Sequence, residues 1–135
     1  MDIHYTAVAT ASGRDGRAVS SDNRLDLPLA VPREMGGSGD GTNPEQLFAA
    51  GYAACFASAL AAVARAGRHD VRDVAVTAEV GIGGDLESGF GLAVTLRVEL
   101  PDDLPDGRAL VERAHQVCPY SNATRGNIPV ELVVE

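Results

Sequence analysis

The chain has 135 residues, 45% of them hydrophobic and 22% charged, which suits one globular domain over 1–135 with a real core and excludes two independent ones. Its 11 basic side chains are all arginine and stand against 19 acidic ones; the resulting net charge of −8 and the absence of a basic run argue against a nucleic-acid surface. The opening MDIHYTAVAT has neither a basic n-region nor an apolar h-region, so the expectation is a cytoplasmic protein, and the Asn122-Ala123-Thr124 sequon is read as chance.

In chain order, residues 3–11 (IHYTAVATA) read as a strand and Gly13-Arg14-Asp15-Gly16 as the tight turn after it. Arg17–Ser21 and Leu25–Leu29 continue as short strands around an Asp22-Asn23 turn, with Pro28 and Pro32 ending the pairing or confining it to an edge. The glycine-rich run from Gly36 to Gly41 precedes a helix, as phosphate-cradling loops do. It lacks a Gly-Lys-Ser/Thr ending, however, and Asp40 and Glu45 would repel an anion, so it reads as a flexible connection.

The stretch from Asn43 to Arg65 is the centre of the chain. Asn43 is a strong N-cap, Pro44 suits the first helical position, and Gln46 stands where a capping box wants Glu or Gln. Past Glu45 no charge appears until Arg65, and a helix apolar on every side must be buried on every side. Leu47–Ala64 is long enough to be mistaken for a membrane span. About half of it is alanine, though, and no arginine cluster or aromatic belt flanks it, so a buried soluble helix is expected, with no membrane partner. Ala49, Ala50, Ala53, Ala57 and Ala61 would let another helix approach closely. A domain this small can hardly surround the helix alone, which points to burial at a subunit interface.

After Gly67 the period changes to two. Val74, Val76, Ala78, Val80 and Ile82 alternate with small or polar residues, Gly83–Gly89 turns the chain, and Leu92 to Leu100 alternate back as a long antiparallel hairpin. Leu110, Val111, Ala114 and Val117 fall at helical spacing, predicting an amphipathic helix from Pro105 to about Val117 that stops at Cys118-Pro119. Asn122–Asn127 reads as a turn and Val130–Val134 as a last strand. The expected class is α+β, with mostly antiparallel sheets around a long buried central helix.

Two cysteines 63 residues apart, without a Cys-x-x-Cys pair or convergent histidines, make a poor zinc site, and no metal is expected. His4, His69 and His115 are scattered and read as surface or turn residues. Inert packing is the bland reading of both thiols. Against it, Cys55 lies at the middle of the central helix and Cys118 at a helix end, and a pair that closes and reopens in a reducing compartment is usually catalytic or redox-sensing. Apolar burial alone would raise the pKa of Cys55 and leave it unreactive, so a nucleophile there needs a nearby cation. Glu45 could hold an arginine in a two-toothed grip, but Arg14, Arg17 and Arg125 all qualify on sequence physics alone.

The segments Gly41–Phe56 (GTNPEQLFAAGYAACF) and Val117–Asn127 (VCPYSNATRGN) closely resemble the two signature segments of the organic hydroperoxide resistance (Ohr) proteins of the OsmC superfamily. Gly13–Gly16, Ser20–Asp22, Gly81–Gly83 and Gly89–Leu92 match as well, so the resemblance covers nearly the whole chain, diverging mainly at 101–108. It implies an OsmC/Ohr-like fold in an intertwined homodimer. It also implies that Cys55 is the peroxidatic cysteine, Cys118 the resolving cysteine, Arg14 the arginine that stabilises the thiolate, and Glu45 the carboxylate that orients Arg14. The implied substrates are organic and fatty-acid hydroperoxides. The implied reductant is the dihydrolipoyl group of a lipoylated protein, with no metal, haem or flavin.

Phe48, Tyr52 and Ala59 on the Cys55 face would give an apolar pocket, and Tyr120 could help shape it. Glu45 and Cys55, ten residues apart, are ~15 Å apart along a helix, a gap one arginine cannot easily bridge within a chain. Antiparallel packing of two such helices would bring Glu45 of one to Cys55 of the other, predicting a homodimer with shared sites. The alternatives are a non-catalytic thiol redox sensor or scaffold, and a structural protein with inert thiols.

Overall fold

Two long runs of alternating residues and one capped apolar helix dominate the architecture. The computed structural model describes residues 1–69, 71 and 74–135. They form two compact units, Met1–Leu47 and Phe48–Glu135.

The first unit is an antiparallel meander of β1 (Ala9–Ala11), β2 (Arg17–Ser20) and β3 (Asp26–Pro28). The expected strand over 3–11 shortens to its last three residues. The ladder with β2 starts at Ala9, one further hydrogen bond joins the Val8 carbonyl to the Ser21 N–H, and Ile3, Tyr5 and Val8 stay exposed. Asn23 turns the β2–β3 connection in the left-handed region (φ 62), which asparagine tolerates, and Ser20 Oγ hydrogen-bonds Asp22 across it at 2.7 Å. Pro28 closes an edge strand, as expected.

The glycine loop is not a slack connection. A single 3-10 turn (Arg33–Met35) precedes it, and the N–H groups of Gly36, Gly37 and Gly39 donate to Arg33, Pro32 and Val31 carbonyls at 2.9–3.0 Å. A Cβ on Gly37 would lie 2.1 Å from the Val31 carbonyl oxygen, so this glycine serves close backbone approach.

Helix α1 (Pro44–Ala66) starts where the sequence signals it. Asn43 Oδ1 accepts the Gln46 N–H at 2.8 Å, satisfying one of the helix's free donors. The other half of the capping box does not form, because Gln46 Oε1 instead accepts a hydrogen bond from Thr42 Oγ1 at 2.7 Å.

In the second unit, β4 (Ala75–Asp85) and β5 (Gly89–Glu99) form the predicted hairpin, with the tip narrowed to the residues between Asp85 and Gly89. β6 (Val130–Val134) pairs with β5 in parallel, which requires a long crossover. That crossover holds α2 (Gly107–Val117) and a second helix, α3 (Pro119–Thr124), which takes the first half of the expected turn over 122–127 and leaves the turn itself at 125–127. Pro119 ends one helix and begins the next: it forces Cys118 into extended backbone (φ −63, ψ 124) and then occupies the first position of α3.

The core gathers one face of α1 (Tyr52, Phe56, Ala59, Leu60), the inner face of β5 (Val94, Leu96, Val98), Val111 and Ala114 of α2, and Cys118. Burial of α1 on every side is not achieved within one chain. One sheet can cover only one face of a helix, so Ala50, Ala54, Ser58 and Ala62 form an exposed stripe at four-residue spacing. By length and composition alone α1 could cross a membrane (23 residues, mean hydropathy 1.9), with 28% of its most apolar window buried in the chain.

Candidate functional site

In the first unit the β1–β2 turn positions Arg14. Gly13 takes φ 130, a conformation that side-chain-bearing residues avoid, and a Cβ on Gly16 would collide with Ser12 Oγ. Arg14 Nη1 lies 2.9 Å from Glu45 Oε1 and 3.2 Å from Oε2, with hydrogen-bond geometry to Oε2 alone. The grip therefore uses one nitrogen rather than the expected fork. Glu45 Oε1 is buried and has no hydrogen-bond partner among the described residues. As the second residue of α1, Glu45 also places its charge where the helix dipole favours an anion.

The three arginines that sequence physics could not separate now differ plainly. Arg17 pairs with exposed Asp26, and Arg125 donates to the His115 carbonyl and Asn122 Oδ1. Of the three, only Arg14 meets Glu45.

In the second unit α1 carries Cys55, and the corner between α2 and α3 carries Cys118. Their Sγ atoms are 3.5 Å apart, the Cys118 thiol donating toward Cys55. Both thiols are free, Cys55 partly exposed and Cys118 fully buried. This is van der Waals contact; a disulfide, at ~2.05 Å, requires an approach of about 1.5 Å. Burial pushes the Cys55 pKa up; the Tyr120 backbone N–H, donating to the sulfur, pulls it down; and the neighbouring Cys118 raises it again. Within one chain Cys55 is thus a thiol that needs further positive charge to ionise.

Three aromatic rings stand beside the pair. Phe48, Tyr52 and Tyr120 meet at centroid separations of 6.1, 5.9 and 5.6 Å, the two involving Phe48 being edge-on. Phe48 and Tyr120 are partly exposed, whereas Tyr52 is wholly buried and its hydroxyl is taken up by Ser121 and Thr124. Ala59, also read as pocket-facing, belongs to the core.

Four residues escaped the sequence reading. His115 is half-buried: its Nδ1 lies 2.7 Å from Ser121 Oγ, and burial, then the Arg125 charge, push its pKa below the usual imidazole value. Ser121 and Thr124 are fully buried polar residues; in sequence Thr124 read as part of a turn and Ser121 only as a member of the second signature segment. Gly51 leaves room for Tyr120: a Cβ there would sit 2.7 Å from the phenol oxygen. A glycine inside an otherwise strong helix was the available signal. Among the described residues no three of His, Cys, Asp or Glu converge as a metal site.

The family described as OsmC-like protein matches residues 37–133. An organic hydroperoxide resistance protein of Xanthomonas axonopodis pv. citri is 58% identical over 136 residues, covering 98% of this chain and 95% of that one. Organic hydroperoxide resistance protein OhrA of Bacillus subtilis is 48% identical, covering 96% and 95%. The crystal structure of an organic hydroperoxide resistance protein from Legionella pneumophila superposes with a TM-score of 0.93 at 48% identity, over 99% of both chains. With these matches spanning nearly its whole length, the chain belongs to the OsmC-like family, on the organic hydroperoxide resistance (Ohr) branch.

Proposed function

We propose that this protein is a cytoplasmic thiol peroxidase that reduces organic hydroperoxides to alcohols. The observation that carries the reading is the 3.5 Å contact between a partly exposed Cys55 and a buried Cys118, both reduced. An accessible thiol can meet a peroxide, and a sheltered one can wait beside it.

The Cys55 thiolate attacks the terminal peroxide oxygen, the O–O bond breaks, and the alkoxide leaves as alcohol after taking a proton. Cys55 becomes a sulfenic acid. The Cys118 sulfur then attacks the Cys55 sulfur, the hydroxyl departs with the Cys118 proton as water, and a disulfide forms. A dihydrolipoyl dithiol on a lipoylated partner restores both thiols and becomes a cyclic disulfide itself. Phe48 and Tyr120, backed by Tyr52, suit the alkyl part of such a peroxide, and hydrogen peroxide gains nothing from these walls.

The working form in this proposal is a homodimer. The exposed small-residue stripe of α1 gives a second α1 a surface to pack on. The positive charge that Cys55 needs would be Arg14, held by Glu45 and delivered from the partner subunit.

The test is a thiol count on the reduced protein before and after one equivalent of cumene hydroperoxide, with dihydrolipoamide turnover measured alongside and hydrogen peroxide as the comparison. Rapid loss of both thiols, sustained turnover and preference for the organic peroxide are expected. Oxidation without turnover would identify a redox sensor instead, and two unreactive thiols would overturn the reading.

A further inference from the structure

Beneath the cysteine pair runs a buried hydrogen-bond chain for which the peroxide chemistry has no use. Tyr52 lies three residues before Cys55 on α1, and its hydroxyl reaches α3, 2.8 Å from Ser121 Oγ and 3.1 Å from Thr124 Oγ1. Thr124 Oγ1 donates to the Ser121 carbonyl at 3.1 Å, and Ser121 Oγ meets His115 Nδ1, on the last turn of α2, at 2.7 Å. Tyr52, Ser121 and Thr124 are at most 1% exposed. Hydroxyls buried to this depth are costly unless every one is paired, and apolar residues would fill the same space without that demand.

The chain's course is specific. It ties the helix that carries Cys55 to both helices that flank Cys118, and Cys118 sits midway between His115 and Ser121 in sequence. Tyr120, whose N–H donates to the Cys55 sulfur, is the residue next to Ser121.

We infer that Tyr52, Ser121 and His115 are positioning residues that clamp the Cys118 corner onto α1, keeping the resolving thiol close enough that disulfide closure outruns a second oxidation of Cys55. The consequence rests on the peroxidase reading above; the clamp itself is a statement about the proximity of two sulfurs. Two reactions compete for the Cys55 sulfenic acid. Attack by Cys118 forms the S–S bond and releases water. Attack by the sulfenate on a second hydroperoxide transfers one oxygen to sulfur, gives a sulfinic acid and releases an alcohol. The first is intramolecular, so its rate depends on alignment, and a displacement of ~1 Å can cost about a hundredfold.

The test compares Tyr52→Phe, Ser121→Ala, His115→Leu and His115→Asn, the last keeping a polar atom near the position of Nδ1. Each is equilibrated with glutathione redox buffers to read the effective concentration of Cys118 at Cys55, and unfolding is followed in parallel. The first three should lower that concentration by roughly ten- to a hundredfold. His115→Asn should restore most of it, and after excess cumene hydroperoxide the weakened variants should carry more of the ~32 Da sulfinic adduct than wild type.

A merely structural network would lower unfolding midpoints and leave the glutathione equilibrium in place, and that result overturns the clamp. Should Tyr52→Phe fail to fold, Ser121→Ala and the two His115 variants decide the matter. If wild type ignores peroxide while the variants still weaken the disulfide, the clamp stands and the peroxidase reading falls.

Discussion

Gly51→Ala puts two opposing magnitudes in direct competition. In the interior of α1, alanine is favoured over glycine by about 1 kcal/mol. The new Cβ, however, would lie 2.7 Å from the Tyr120 hydroxyl oxygen, 3.2 Å from Cζ and 3.3 Å from Cε2. Carbon atoms rest comfortably from ~3.5 Å, so the ring must retreat by several tenths of an ångström. Tyr120 is 38% exposed and can swing outward, but only by loosening its contacts with Phe48 and Tyr52. Each such pair contributes about 0.5–1.5 kcal/mol beyond its buried area.

The expected balance is a loss of about 0–2 kcal/mol with Tyr120 present and a gain of about 1 kcal/mol once Tyr120→Ala has cleared the space. Urea unfolding of the four proteins in this cycle measures the coupling directly. A reversal of sign between the two backgrounds is the predicted signature. Equal effects in both backgrounds, or a stabilising Gly51→Ala with Tyr120 intact, would refute the argument that this glycine exists for the phenol.

Asn43→Ala removes the acceptor for the Gln46 N–H and should cost about 0.5–2 kcal/mol in denaturant unfolding; no change would mean that Thr42 and Gln46 cap the helix by themselves. Arg14→Ala should slow peroxide consumption at neutral pH by about ten- to a thousandfold, the thiolate population that a nearby cation sustains, while Glu45→Gln slows it less because the guanidinium keeps its charge. An unaltered rate in Arg14→Ala would remove that residue from the mechanism. His115 sets a pH dependence whose sign is fixed by its lowered pKa: the unfolded chain takes up the proton near pH 6.5 while the folded chain resists it. Its contribution is therefore complete above that value and is lost as the pH falls below it towards the lowered folded-state pKa, so unfolding midpoints should drop as the pH falls below about 6.5, less steeply in His115→Asn. Parallel slopes in the two proteins would assign the effect elsewhere.

Local chemistry wrote several features openly into the chain. The Asn43-Pro44 start of α1 is such a feature, because a cap needs only residues a few positions apart. The β4–β5 hairpin is another, since a period of two along each strand and a short connection define it without reference to anything distant. Pro119 was half legible. Its power to stop a helix is local and visible, but whether another helix starts at once depends on what the next turn can bury, here Ser121 and Thr124.

Packing decided the rest. The segment 3–8 has strand composition, yet a strand forms only where a neighbouring edge shares its hydrogen bonds, and before Ala9 that sharing ends at the Val8 carbonyl, which accepts the Ser21 N–H at 2.8 Å. The motif resemblance singled out Cys55, Cys118, Arg14 and Glu45, but the 3.5 Å sulfur contact and the single-nitrogen grip on Glu45 arise from residues 63 and 31 apart in sequence. His115 shows the division most sharply. A lone histidine on an amphipathic helix is indistinguishable from a surface residue until α3 folds against it. Sequence alone thus determined α1, α2, the hairpin and the candidate residues that the motifs single out, because propensity, period and motif are properties of neighbouring positions. Only the tertiary structure decided what each long-range side chain touches, because burial and hydrogen-bond partners belong to the packed chain and to no stretch of it alone.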